Sequence, residues 1–209
     1  MSEILKERSA RLARAARALN SASGVEAPFY LAFATDCARG PEASLVARAL
    51  APGGALILRD YDDENRAARA RALRKICAER GVLFLVGGDE PLARAVGADG
   101  LHLRSDQLRA GAQRRAGILS ASCHSAEELE RAAAIGADVA ILGPVFATPS
   151  HPGAAALGPA RFTALAADAA LPVFAIGGVD ETNASTLAGK NVAGFVAIGA
   201  FNAKRAPGE

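Results

Sequence analysis

Two glycine-bearing segments near the carboxyl end of the chain, Ala175-Ile176-Gly177-Gly178 and Ile198-Gly199-Ala200, have the composition of a phosphate cradle. Each closes a short apolar run, and each is followed by sequence able to open a helix. Glycine lets backbone N–H groups approach a ligand with no Cβ in the way, and a helix amino terminus adds positive potential. A tight turn alone would also use Gly177 and Gly178. Upstream, the loop Gly143-Pro144-Val145-Phe146-Ala147-Thr148-Pro149-Ser150-His151-Pro152-Gly153 is stiffened by prolines. Its Thr148 and Ser150 hydroxyls can donate to phosphate oxygens, and His151 can add charge or transfer a proton. The alternative is a surface loop with no such duty.

The three histidines, His102, His124 and His151, fall at or just beyond the ends of successive apolar runs, so one mouth can gather them. No Glu-x-x-His pair accompanies them, and metal ligation by histidine is not indicated. His102 lies within Leu101-His102-Leu103, which suits a hydrogen-bonded structural role. Cys123 and His124 look like a thiol and its base, but neighbours on a strand point to opposite faces. The remaining cysteines, Cys37 and Cys77, lie far away in sequence, and no Cys-x-x-Cys pair or secreted disulfide framework is present. A cytoplasmic protein is expected.

The elements that must position these groups follow from Phe29 onward, where apolar strand-like runs alternate with alanine-rich amphipathic stretches. The runs are Phe29 to Ala34, Ala55 to Arg59, Val82 to Val86, Gly100 to Leu103, Gly117 to Ala121, Val139 to Leu142, Val173 to Ile176 and Phe195 to Ile198. Asn65 to Arg80, Ser125 to Ile135 and Pro159 to Asp168 read as helices between them, with Gly81 and Gly136 as stop signals. Eight such units predict a single α/β domain, a (β/α)8 TIM barrel over residues 23–209, with ligand groups at the carboxyl ends of its strands. An open doubly wound sheet competes, but no Gly-x-Gly-x-x-Gly follows the first strand and no phosphate-loop lysine motif occurs.

Residues 1–22 read as an extra amino-terminal helix packing on the barrel. Ile4, Leu5, Leu12, Ala15, Ala16 and Leu19 recur at helical spacing, so one stripe faces the protein while the arginines face water. Such a helix would cover the amino-terminal end of the barrel. A transit peptide is the alternative, yet Glu3 and Glu7 sit in its first turns. Across the chain, 24 basic and 22 acidic residues are interspersed for a net charge of +2, too little for a nucleic-acid footprint. No apolar run approaches the roughly 18 residues needed to cross a bilayer, so no membrane partner is expected. An anionic ligand, best a phosphorylated small molecule, must be caught locally.

Four blocks in order resemble the thiamine phosphate synthase family, which includes a thiazole tautomerase. They are Ala98-Asp99-Gly100-Leu101-His102-Leu103, Cys123-His124-Ser125-Ala126-Glu127-Glu128, the Gly143 to Gly153 loop, and Ala175-Ile176-Gly177-Gly178-Val179. Tyr30 to Asp36 is similar to the family's first strand ending in Thr-Asp, and Arg59 matches the arginine of its Gln-x-Arg-x-Lys strand. The resemblance spans Phe29 to Phe201 and implies joining of an aminopyrimidine diphosphate to a thiazole phosphate. In the family, magnesium and basic side chains help pyrophosphate depart before the thiazole nitrogen attacks the pyrimidine carbocation. The implied sites are Gly177, Gly178, Gly199 and Ala200 at the thiazole phosphate, and Thr148, Ser150 and His151 near pyrophosphate. Arg59 would counter diphosphate charge, with His124 and His151 as acid–base candidates, and a homodimer is expected on the same ground.

Several family positions differ. Gln-x-Arg-x-Lys reads Ile57-Leu58-Arg59-Asp60-Tyr61, the Asn-Asp pair after strand three reads Gly87-Gly88, and Gly-Gln-x-Asp after strand four reads Arg104-Ser105-Asp106-Gln107. Both expected magnesium carboxylates are thus substituted. Asp89 and Asp106, one residue from those places, are the candidates to replace them. His151 stands for a lysine, Gly199 for a phosphate-binding serine, and Pro144 for the tautomerase histidine. Three readings stay open: a synthase, a diverged barrel that binds a phosphorylated small molecule without synthase turnover, and an isomerase using His124 or His151.

Overall fold

The computed structural model describes residues 3–38, 40–108, 117–147 and 156–202. Eight parallel strands close into a barrel in chain order: β1 (Leu31–Ala34), β2 (Ala55–Leu58), β3 (Leu83–Gly87), β4 (Gly100–Leu103), β5 (Ile118–Cys123), β6 (Val139–Leu142), β7 (Val173–Ile176) and β8 (Val192–Ala197). β8 pairs back onto β1, with Leu31 opposite Phe195. Every expected strand is present. The largest shifts are at β1, which starts two residues later, and β8, which starts three residues earlier. The helices are α1 (Glu3–Ser23), α2 (Ala43–Ala49), α3 (Arg66–Arg80), α4 (Glu90–Ala95), α5 (Ala126–Ala134) and α6 (Gly158–Asp168).

Strand alternation divides the core into two layers. Ala32, Ala34, Ala55, Ile57, Leu85, Val139, Ile141, Phe174 and Val196 fill the barrel interior. Their sequence neighbours, among them Phe33, Leu56, Leu58, Phe84 and Leu142, face the helices. Two of the crossovers share one local device. Gly97 and Gly136 take left-handed φ angles of +62° and +72° just after α4 and α5. Asp99 and Asp138 then turn a carboxylate back onto the start of a neighbouring strand, accepting from Phe84 N and Leu119 N at 2.8 Å. The Ala98-Asp99-Gly100 block therefore serves barrel closure at the end remote from the ligand groups.

The amino-terminal helix lies elsewhere than its composition suggests. α1 packs along the side of the barrel against β8 and β1, between α2 and the short 3-10 turn Ala184–Leu187. It holds the position a helix after β8 would take; among the described residues, β8 is followed by the 3-10 turn Gly199–Phe201. The barrel floor is instead filled by the connection after α1, where Val25, Ala27 and Phe29 enter the interior layer and Phe29 meets Phe174 at 4.6 Å between ring centres. The buried stripe also differs. Ile4 is exposed, while Arg8 and Ser9 are buried beside Leu5, Leu12, Ala16 and Leu19. Arg8 is inward because its guanidinium donates to the Ala200 carbonyl at 2.9 Å, a group that no regular helix satisfies.

Exchanging Arg8 for methionine keeps the length of the stem and removes that donor. A loss of about 2 kcal/mol in urea unfolding is expected, as for a buried bond to a charged group, with partial recovery for Arg8→Lys. Unchanged melts would show that the contact is incidental.

Candidate functional site at the carboxyl ends of the strands

The ends of β7 and β8 are built from peptide groups whose acceptors are consumed by the protein. Gly177 O accepts from Phe146 N at 3.0 Å, and Gly178 O accepts from Asn183 Nδ2 at 2.8 Å. Gly199 O accepts from Asn202 N at 3.0 Å, and Ala200 O from Arg8. The carbonyls of all four residues are thus engaged within the protein, on the adjoining ends of β7 and β8. The expected helices after β7 and β8 are 3-10 turns of four and three residues.

Gly177 and Gly178 are needed for a second reason. Their φ angles are +97° and +68°, and a Cβ at Gly177 would stand 2.7 Å from Pro144 Cα and Cβ. At Gly178 it would stand 2.8 Å from Phe146 Cβ. The start of the loop after β6 lies directly on the glycine pair, held by Val145 N to Ile176 O at 2.8 Å. The tight turn and the close approach of the loop thus both require these glycines. Gly199 is unlike them: a Cβ there would meet only Asn202 Nδ2, at 3.9 Å. Thr148, Ser150 and His151 lie outside the described residues.

Across the mouth, Arg59 follows Ile57 at the two-residue interval that points inward. Its backbone N–H donates to Thr35 Oγ1 at 2.8 Å, fixing the end of β2 against that of β1. The side chain is half-buried, and its buried Nε has no partner; among the described residues the guanidinium meets no carboxylate. Below it, His102 is buried, with Nδ1 2.9 Å from Ser120 Oγ. Burial, and then the Arg59 charge, push the His102 imidazole down to about 3, so the ring is neutral. This agrees with a structural role for His102. It also shows that Ser120 belongs to the interior polar layer, which the sequence signals only through the spacing Ser120, Ser122, His124.

His124 reaches the rim of the mouth. Its Nδ1 lies 2.6 Å from Gly143 O, an acceptor, so Nδ1 carries the hydrogen and Nε2 is left to take or give a proton. Cys123 is buried in the outer layer, and burial pushes its thiol up to about 12, so no thiol–imidazole pair forms.

Asp89 and Asp106 are each engaged within the protein. Asp89 Oδ1 caps α4 by accepting from Leu92 N at 2.9 Å, and Oδ2 pairs with Arg66 at 3.3 Å. Both Asp106 oxygens are held by Arg104, at 3.0 and 2.8 Å. Each carboxylate is claimed by a neighbour that a one-residue displacement brought within reach. Among the described residues, no group of three His, Cys, Asp or Glu side chains comes together to hold a metal. Sequence reading also missed Tyr61, whose ring covers Gly87 and Gly88 with Arg66 and Arg104 at 5.5 and 5.3 Å from its centre.

Comparison with known proteins identifies the family. The family model described as thiamine monophosphate synthase matches residues 30–201, all eight strands. The chain belongs to the thiamine monophosphate synthase family. It is 40% identical over 167 residues to a thiamine-phosphate synthase of Acidithiobacillus ferrooxidans, covering 73% of this chain and 77% of that protein. It is 44% identical over 158 residues to one from Bordetella pertussis, covering 68% and 72%. A solved thiamine phosphate pyrophosphorylase from Pyrococcus furiosus superposes with a TM-score of 0.65 at 27% identity, over 86% of this chain and 88% of that one. Among the described residues no helix is long and apolar enough to cross a membrane.

Two outcomes follow from the geometry. Gly199→Ser fits the open space and adds a hydroxyl to the cradle, so it should tighten binding of a phosphate monoester several-fold in calorimetry, by about 1 kcal/mol. Gly178→Ala should weaken the same binding and destabilise the fold. For His102 the folded pKa lies below the unfolded value of 6.5. Unfolding therefore takes up a proton between the two, and stability falls as pH drops from about 6.5 toward about 3. His102→Gln should remove roughly 1.4 kcal/mol per pH unit from that slope, read in urea melts between about pH 4 and 6.

Proposed function

We propose that the protein is a thiamine phosphate synthase-type transferase, with two anions meeting at the barrel mouth. The thiazole phosphate accepts hydrogen bonds from the N–H groups of Gly177, Gly178, Gly199 and Ala200. The aminopyrimidine diphosphate meets Arg59, and Thr148, Ser150 and His151 extend that contact. Arg59 carries this reading: a half-buried guanidinium with no counterion among the described residues stands at the mouth of a chain whose residues 30–201 match the synthase family. A fixed positive charge there stabilises the diphosphate as charge accumulates on the leaving group. His124 supplies or accepts a proton at Nε2. We place the protein in the cytoplasm and expect it to act as a homodimer, in keeping with its free cysteines and its family.

Binding of a phosphorylated small molecule without turnover is the second reading, favoured by the engagement of Asp89 and Asp106 in ion pairs. The two are separated by incubating the protein with both thiamine precursors and magnesium, measuring thiamine phosphate, and titrating thiazole phosphate calorimetrically. Product formation, reduced at least about 100-fold in Arg59→Met, is expected for the synthase. Thiazole phosphate binding with no product supports the second reading, and neither binding nor product defeats both.

A further inference from the structure

We propose that the diphosphate side of this mouth binds its anion through fixed arginine charge, with no divalent cation at the rim formed by β3 and β4. The inference rests on the two-anion reading above and specifies the chemistry of its second half. Three observations converge on it. First, the place of the expected Asn-Asp pair is crowded: Tyr61 Cε1 lies 3.2 Å from where a Cβ at Gly87 would stand and 3.3 Å from one at Gly88, and the Leu58 carbonyl oxygen lies 2.8 Å from the former. A side chain at either position would have to displace the Tyr61 ring.

Second, the ring is held in place. Arg66 donates to the Leu58 and Gly87 carbonyls and pairs with Asp89, while Gln107 accepts from Arg104 N at 3.0 Å and donates to Gly88 O at 3.0 Å. The two guanidiniums flank the aromatic face as cation–π partners. Third, Asp89 and Asp106 already have cationic partners. Magnesium requires oxygen ligands in near-octahedral array. To enter, it would have to part Asp89 from Arg66 or Asp106 from Arg104 and sit beside the freed guanidiniums. Arg59, with no counterion among the described residues, is the group left to meet the anion.

The test uses the full-length protein and inorganic pyrophosphate, titrated calorimetrically at one ionic strength in excess EDTA and in saturating magnesium chloride. Binding is expected in EDTA, no more than about twofold weaker than in magnesium, and at least about tenfold weaker in Arg59→Met. The combined variant Tyr61→Lys, Gly87→Asn, Gly88→Asp, Gln107→Asp should bind more tightly in magnesium than in EDTA. Should that variant fail to fold, the wild-type pair of titrations and Arg59→Met still decide. Wild-type binding that needs magnesium overturns the proposal. So does absence of pyrophosphate binding in both buffers while thiazole phosphate still binds; loss of both ligands instead removes the two-anion reading beneath it.

Discussion

Each peptide unit brings one donor and one acceptor, and at the ends of β7 and β8 the protein consumes the acceptors. That engagement of the carbonyls organises much of the molecule around the mouth. The Gly177 carbonyl is taken by the loop after β6, which can approach only because Gly177 and Gly178 lack a Cβ. The Gly178 carbonyl is taken by Asn183, whose Oδ1 in turn accepts from Asp180 N and fixes the turn that replaces a helix. The Ala200 carbonyl is taken by Arg8, which requires α1 to stand in the seat of an eighth helix. The arrangement of these strand ends is therefore a property of three separate chain segments rather than of a glycine motif.

The opposite side of the mouth follows a different rule. There charge is held on side chains, and most of it is already neutralised: Arg66 by Asp89, Arg104 by Asp106. Arg59 is the exception. Its position is set by strand alternation, its backbone by Thr35, and its surroundings by a neutral His102 that adds no competing charge. A guanidinium does not deprotonate, so the cost of its partial burial has to be met by an anion or by water.

The barrel was legible in the sequence because apolar runs of strand length recur eight times, and closure requires both of their faces to be apolar. The cradle glycines were legible for the same reason, falling at the ends of the last two runs. The seat of α1 was not. Its stripe of small and aliphatic residues announces a buried face without naming the surface that covers it, and an arginine inside that stripe reads as solvent-facing unless the distant Ala200 carbonyl is known. Nor could spacing show what Asp89 and Asp106 do, since their partners are set by the cap of α4 and by a guanidinium two residues away. Thr148, Ser150 and His151 lie outside the described residues.

Taken singly, the replacements at 61, 87, 88 and 107 read as independent losses from a family pattern. The geometry binds them together. A tyrosine at 61 packs closely over the glycines at 87 and 88, and the amide of Gln107 bridges Gly88 and Arg104 with one acceptor and one donor. An aspartate at 107 would have no donor for the Gly88 carbonyl, so the amide suits this packing as the carboxylate would not. The space is filled by an aromatic ring with two guanidiniums beside it, and Asp89 and Asp106 have cationic partners. That mutual fit describes a rim with its own stable arrangement, one in which a single restored aspartate would meet the ring before it met a metal.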